Sequence, residues 1–381
     1  MRVLHTSDWH LGRSLHGHSL LDDQQYVLEQ LLALIRRENV ELLLLAGDVY
    51  DRSVPPDGAV ELFNDFLAEL VGAAGVQAVV IPGNHDSALR LGFGASLLAG
   101  SGLHLLTDLA RCDRSVDLAV DGQRVQLFGL PYASPERVRS VFPEAAVRTA
   151  DDAMAFLLDR VRARCEPGAR QILLAHCFVA GGLVSDSERP LSVGGSDQVA
   201  AAHFDGFDYV ALGHLHRPHQ QTRETLRYSG SLLKYSASEA GHDKGVVLFD
   251  LTGDGVRNLQ TLALAPRRDL RVLTGSLAQI LQAGASDPAA DDYVQILLTD
   301  TQALHDVHGQ LARVYPNRLQ VLRPGVTAAQ PDRAAALARV QRGELALFED
   351  FYRFSAGRVP NAAEQAVLAT ALAGLDEPET P

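Results

Sequence analysis

Val3-Leu4-His5-Thr6-Ser7-Asp8-Trp9-His10 is a short apolar run that ends in a carboxylate and an imidazole. The same arrangement recurs four times. Leu42–Ala46 ends in Gly47-Asp48, and Val79–Ile81 ends in Pro82-Gly83-Asn84-His85-Asp86. Ile172–Ala175 ends in His176, and Tyr209–Leu212 ends in Gly213-His214-Leu215-His216. Runs of this length and composition read as strands, so each of the five delivers polar ligand-type side chains at its carboxyl tip. Between them, Asp22–Glu38 places Val27, Leu28, Leu31, Leu32, Leu34 and Ile35 at amphipathic-helix spacing, and Asp57–Val71 does the same with Val60, Phe63, Phe66, Leu67 and Leu70. Pro55-Pro56-Asp57 supplies the break before the second helix. Alternating strands and helices predict α/β layering, in which ligands lie beyond the carboxyl ends of the strands. Val125–Leu130, Leu226–Ser229 and Gly245–Leu251 extend the sheets, with some antiparallel members, to give a sandwich of sheets flanked by helices over residues 1–265.

The pattern then resets. Asp269–Leu273, Asp292–Leu298 and Arg318–Leu322 read as strands, and Ser276–Ala283 and Thr301–Val314 as helices, which predicts a small α+β module over 266–325. Residues 326–381 form an Ala-rich linker followed by helices. There Phe348, Phe351, Tyr352 and Phe354 put four aromatics into seven positions of a chain that is only 6% aromatic.

Composition narrows the class. With 46% hydrophobic and 21% charged residues the chain reads as a soluble globular protein. It has no apolar stretch of the ~18 residues a membrane span needs, and no signal-peptide pattern at its start, so the expected location is the cytoplasm. Three cysteines without C-x-x-C spacing predict core filling rather than disulfides or a thiolate metal site. A net charge of −13 counts against a nucleic-acid ligand unless bound cations or a partner supply positive charge.

Asp8, His10, Asp48, Asn84, His176, His214 and His216 together offer carboxylates, an amide and imidazoles. That mixture suits manganese, iron or zinc and disfavours calcium. Seven donors are too many for one ion and suit two if a carboxylate bridges, a role that falls to Asp48 behind its flexible glycine. Two ions ~3.5–4 Å apart clamp a phosphate for in-line displacement. His85, beside Asn84, is the candidate to protonate the leaving oxygen. Trp9 and His5 read as packing residues, and His16 and His18 as solvated loop residues. No G-x-x-x-x-G-K-[ST] is present, so the chain alone is not expected to bind ATP.

These motifs resemble those of the calcineurin-like metallophosphoesterases. Leu4–Arg13, Ala46–Asp51, Pro82–Ser87, Val193-Gly194-Gly195-Ser196, Ala211–His216, Tyr228-Ser229-Gly230-Ser231 and Lys244-Gly245 are similar to the SbcD family of bacterial nuclease subunits in particular. The resemblance implies a four-layer α-β-β-α sandwich with a small α+β capping domain and C-terminal helices. It implies one Mn²⁺ held by Asp8, His10, Asp48 and His216 and a second by Asp48, Asn84, His176 and His214, with Mg²⁺, iron or zinc as alternatives. It further implies a 3′-to-5′ exonuclease on duplex DNA and an endonuclease on hairpins and single strands. The implied partners are the coiled-coil ATPase SbcC, docked by the aromatic tail, and a second nuclease subunit. Ala88–Leu98 is the candidate contact for that dimer. Arg13, Arg52 and Arg90 are candidate DNA contacts, and Asp51 stands where relatives outside bacteria often carry histidine. The competing expectation is a dinuclear phosphodiesterase for small phosphate esters, which has no need of a capping module or an aromatic tail.

Overall fold

The computed structural model describes residues 1–182, 184–188, 197–324, 352–353, 359–361, 364–365 and 367. The chain divides into two compact units, residues 1–297 with 305–322, and residues 298–304 with 323–381.

In the first unit the elements run β1 (Arg2–Thr6), α1 (Leu21–Arg37), β2 (Leu42–Ala46), α2 (Asp57–Leu67), β3 (Gln77–Ile81), β4 (Leu103–Leu105), β5 (Val116–Val120) and β6 (Gln123–Leu130). There follow α3 (Ala150–Arg162), β7 (Arg170–His176), β8 (Tyr209–Gly213), β9 (His219–Gln220), β10 (Leu226–Tyr228), β11 (Gly245–Thr252) and β12 (Gly255–Ala263). Two six-stranded sheets result, ordered β12-β11-β1-β2-β3-β4 and β9-β10-β8-β7-β6-β5. The strands β1, β2 and β3 are parallel, as are β6, β7, β8 and β10, while β11 joins β1 antiparallel.

Strand alternation explains the layering. In β2, Leu42, Leu44 and Ala46 face one way and pack with Val125, Leu127, Ile172, Leu174 and Ala211 of the other sheet. Leu43 and Leu45 face the opposite way, against Val27, Leu31 and Ile35 of α1 and Phe63 and Phe66 of α2. The second sheet does the same: Phe128, Leu173, Ala175, Val210 and Leu212 face Met154, Leu157, Leu158 and Val161 of α3. The inner strands of both sheets are buried on both faces, which is why they are continuous apolar runs rather than alternating ones. The outcome is the α-β-β-α sandwich. His5 belongs to its inner face: Nε2 lies 3.2 Å from the Leu212 carbonyl and can only donate to it, and Nδ1 takes the Tyr209 hydroxyl at 3.0 Å. Burial, with the charge of Arg227 added, lowers its pKa to about 3, so the imidazole is neutral.

Two helices differ from expectation. The α-helical part of Asp57–Val71 ends at Leu67 and continues as a π-helix over Ala68–Ala73. In place of a helix over Thr301–Val314, α5 covers only Val307–Ala312. Asp306 begins it in a left-handed conformation, its carboxylate accepting from the Gly309 N–H at 3.2 Å. A local side-chain bond of this kind competes with helix continuation and fixes the start. The strands β13 (Leu270–Gly275), β14 (Tyr293–Leu298) and β15 (Arg318–Leu322) form a separate three-stranded sheet, with α4 (Leu277–Gly284) capped by a Ser276–Gln279 box.

In the second unit, Tyr352 donates to Glu364 at 2.7 Å. Phe348, Phe351, Phe354 and the 193–196 motif lie outside the described residues. Among the described residues no helix is long and apolar enough to cross a membrane.

Candidate metal centre

The five strand tips converge because their registers align. Thr6 pairs with Leu45, Ala46 with Ile81, and Gly213 with His176. The loops then cross-link, with the Asp8 N–H donating to Gly47 at 3.0 Å and the His10 N–H to Asp48 at 3.0 Å. Asp8 and His10 follow β1, Asp48 follows β2, and Asn84 and His85 follow β3. His176 ends β7, and His214 and His216 follow β8. The site is thus half from each sheet.

Four of these residues hold positive φ without being glycine: Asp8 at 55°, His10 at 47°, Asp48 at 50° and His214 at 110°. Such backbone is uncommon outside glycine and concentrates at functional sites. Three glycines make room for His176. A Cβ on Gly47 would sit 2.3 Å from its Nδ1 and one on Gly83 2.7 Å from its Cε1. On Gly213 it would sit 1.8 Å from the Ala46 carbonyl oxygen.

His176 Nδ1 lies 2.9 Å from the Ala46 carbonyl, which can only accept, so Nδ1 carries a proton. Its Nε2 faces the Asn84 Oδ1 at 3.0 Å and the Asp48 Oδ2 at 3.5 Å. Asp48 Oδ2 also lies 3.7 Å from His10 Nε2 and 4.0 Å from His85 Nε2, while its Oδ1 accepts from the His85 N–H at 2.9 Å. His10 and His216 bring their Nε2 atoms within 3.1 Å of each other, and His214 Nδ1 lies 3.2 Å from Asn84 Oδ1. Asp8 accepts from Ser7 Oγ at 2.5 Å and from the His214 N–H at 3.0 Å. All seven residues are brought together. Donor atoms of Asp8, His10 and His216 lie within 4.8 Å of one another, as do those of Asp8, Asp48 and His176.

Charge follows from this crowding. Burial raises the Asp8 carboxyl to about 6 against the pull of His176 and His216. Burial would raise Asp48 too, but the imidazoles, His176 first, hold it well below the usual carboxylate range. Burial drives His10 well below its ordinary value and His214 to about 3. Against its own burial, His176 is lifted by Asp48 to about 9. With no metal bound, protons balance the cluster, the raised His176 against Asp48 above all; once deprotonated, the same buried oxygens and nitrogens face one another closely enough to hold cations. The oxygen and nitrogen donors, with no thiolate, fit a divalent metal centre.

Several residues outside the set of seven support it. Glu239 is fully buried; it lies 3.2 Å from His216 Nδ1, accepts from Ser187 Oγ, and takes Lys244 Nζ at 2.5 Å. Lys244 also donates to the His216 carbonyl at 2.8 Å. A carboxylate behind a ligating imidazole fixes its orientation and tautomer. Asp86 gathers the N–H groups of Val49, Tyr50 and Gly83 at 2.9–3.0 Å and so ties the β2 and β3 loops together. Gln24 donates to the carbonyls of Trp9 and His10, and accepts from the Gly12 N–H. The quoted motifs include Asp86, which follows His85 directly, and Lys244, but neither Glu239 nor Gln24.

The other expected residues divide. His85 Nδ1 donates to the Asp51 carbonyl at 2.7 Å, and its ring stands edge-on to His10 at 4.6 Å. Arg13 is turned inward, bonded to Asp51 Oδ1 at 3.2 Å and set over the Tyr235 ring. Arg52 and Arg90 are on the surface, Arg52 with Nε 3.8 Å from Asp51. Trp9 is fully buried between Phe63 and Phe66, and burial pushes the Cys177 thiol up to about 12, so both belong to the core.

A model of the calcineurin-like phosphoesterase family matches residues 1–218, and one described as the type 5 capsule protein repressor C-terminal domain matches residues 266–355. The D subunit of the nuclease SbcCD of Staphylococcus epidermidis is 32% identical over 353 residues, which cover 93% of each chain. Among solved structures, protein TT1561 of Thermus thermophilus is 15% identical at a TM-score of 0.41, over 69% of this chain and 99% of that one. A dimetal phosphatase from Danio rerio is 13% identical at a TM-score of 0.40, over 70% and 98%. The chain belongs to the calcineurin-like phosphoesterases and, within them, to the SbcD family. Its chemistry is that of a phosphoester hydrolase.

Proposed function

We propose that the chain is the nuclease subunit of an SbcC–SbcD-type complex. It would cut DNA as a Mn²⁺-dependent 3′-to-5′ exonuclease on duplex ends and as an endonuclease on hairpins and single strands. The observation that carries this reading is the position of Asp48. Its Oδ2 faces His10 of one candidate site and His176 of the other, at 3.7 and 3.5 Å, as a bridging ligand would. Asp8, His10, Asp48 and His216 would hold one ion, and Asp48, Asn84, His176 and His214 the other. When bound, the ions would supply Lewis-acid stabilisation of the phosphoryl oxygens and would acidify the attacking water. His85 then acts on the leaving group. Its Nδ1 is anchored on Asp51, so the ring is oriented with Nε2 on the Asp48 side, where it can deliver a proton to the departing oxygen.

The chain divides as a nuclease domain over 1–265, a capping domain over 266–325 and a partner-binding tail over 326–381. Phe348, Phe351, Tyr352 and Phe354 dock on SbcC. A second subunit covers Leu89, Phe93 and Leu97, which are 84–88% exposed and spaced four residues apart around the short helices that follow β3. Arg13, Arg52 and Arg90 contact DNA phosphates, Arg13 while it holds Asp51.

Mn²⁺ with labelled linear and hairpin DNA tests the reading. The protein should cleave both, and Asp48→Asn should abolish cleavage. Hydrolysis of a small phosphodiester without DNA cleavage, even with SbcC present, would overturn it in favour of a small-ester phosphodiesterase.

A further inference from the structure

His176 has a second surroundings. It also lines a cavity of about 190 Å³ that extends to Met154 and Leu157 of α3. Tyr132 stands edge-on to His176, ring centroids 6.4 Å apart, and Phe178 lies 6.3 Å from His214, so the mouth is flanked by aromatic rings. Met154 and Leu157 of α3, both in the hydrophobic core, close the inner end. The polar groups at the opening include Glu136, Asp197 and Arg148. Burial raises the Tyr132 hydroxyl, and the charges of Asp197 and then Glu136 add to the effect, so both carboxylates are felt inside.

We propose that this cavity receives the unstacked base of the nucleotide next to the scissile phosphate. The inference rests on the DNA-nuclease reading and deepens it. A second phosphate does not suit a pocket with two carboxylates and one arginine. A flat, largely apolar ring with exocyclic amino groups does, since aromatic side chains accept bases of any sequence and carboxylates accept amine hydrogens. The position fits as well. With the phosphate at the centre, the adjoining nucleoside is the part of the substrate that reaches past His176. Single-stranded and frayed ends pay least to unstack a base, so a pocket of this kind favours them over an intact duplex interior.

A substrate series tests this without altering the protein. The full-length chain, loaded with Mn²⁺, is given single-stranded oligonucleotides that carry one tetrahydrofuran abasic residue at successive positions around a mapped cleavage bond. kcat/KM should fall about tenfold, the order expected for one lost base–aromatic stack, when the abasic residue adjoins that bond on one side. It should recover two or more nucleotides away. Met154→Trp, which fills the inner end, should cut the intact strand as slowly as the wild type cuts the abasic one, with no further loss on the abasic strand. A flat profile with normal cleavage of the intact strand would overturn the pocket and leave the nuclease reading standing. Failure to cut the intact strand would overturn the nuclease reading itself, and the pocket with it.

Discussion

Glu239→Gln separates stability from metal affinity. The carboxylate is fully buried and holds Lys244 Nζ at 2.5 Å, while Lys244 has no other anionic partner among its hydrogen bonds to the described residues, only the His216 carbonyl and Ser231 Oγ. Removing one member of a buried ion pair strands the other charge and costs about 3–5 kcal/mol. The folded pKa of Glu239 lies below its ordinary value, chiefly because His216 and Lys244 outweigh its burial. Lys244→Met should cost less, because Glu239 keeps the Ser187 hydroxyl, the Tyr235 N–H and His216. The double variant Glu239→Gln/Lys244→Met should regain most of that loss in urea unfolding, because both charges leave together. Metal affinity should not follow. With no carboxylate behind His216, titration calorimetry should show Mn²⁺ binding weakened roughly 10–100-fold at one of two sites in the single Glu239 variant and in the double variant alike. Affinity restored along with stability would refute the orienting role and make Glu239 purely structural. Wild-type stability in either single variant would refute the buried pair.

Other consequences are equally measurable. Gly213→Ala sets a Cβ 1.8 Å from the Ala46 oxygen and 2.8 Å from His176 Nδ1; it should cost at least the ~1–3 kcal/mol of overpacking and lower metal stoichiometry, read by urea midpoint and elemental analysis. Asp287 is held below its ordinary 3.8 by Arg271 first, with the Ala289 N–H and the Tyr315 hydroxyl adding to it. Its contribution is therefore present above the unfolded pKa and fades as pH falls through the lower folded one. Asp287→Asn should cost on the order of 1 kcal/mol or less at pH 7, and the gap in thermal midpoint should close in acid below the ordinary carboxylate range. Phe93→Asp should shift a dimer to monomer in light scattering if the exposed Leu89, Phe93 and Leu97 patch is a subunit contact; an unchanged mass would refute that contact.

The site was legible to the extent that its residues sit at the ends of strands. A strand buried on both faces must be a continuous apolar run, and the first polar residues after it mark the sheet edge, so Asp8, Asp48, Asn84, His176 and His214 announce themselves. What supports them does not. Glu239 reaches His216 across 23 residues and Ser187 across 52, and Asp23 meets Arg268 across 245; pairings of that range leave no local periodicity. Arg13 shows the same limit: its nearness to a motif told nothing of its bond to Asp51 or its place over the Tyr235 ring. The order of the sheets was hidden for the same reason. That β11 flanks β1 antiparallel is decided by a partner some 240 residues distant, and the shortened helix at 307–312 by one aspartate's own carboxylate.

A centre drawn half from each sheet has a mechanical meaning. Asp8, His10, Asp48 and Asn84 travel with one sheet, and His176, His214 and His216 with the other. The apolar contacts between the sheets have no direction of their own and tolerate small sliding, whereas coordination bonds do not. Bound ions would act as rivets through the seam, setting the gap between the layers to a fraction of an ångström. Thinning the interior far from the chemistry, at Val79 or Ile172 for instance, would then reach the active site as a change in the spacing that the rivets must span.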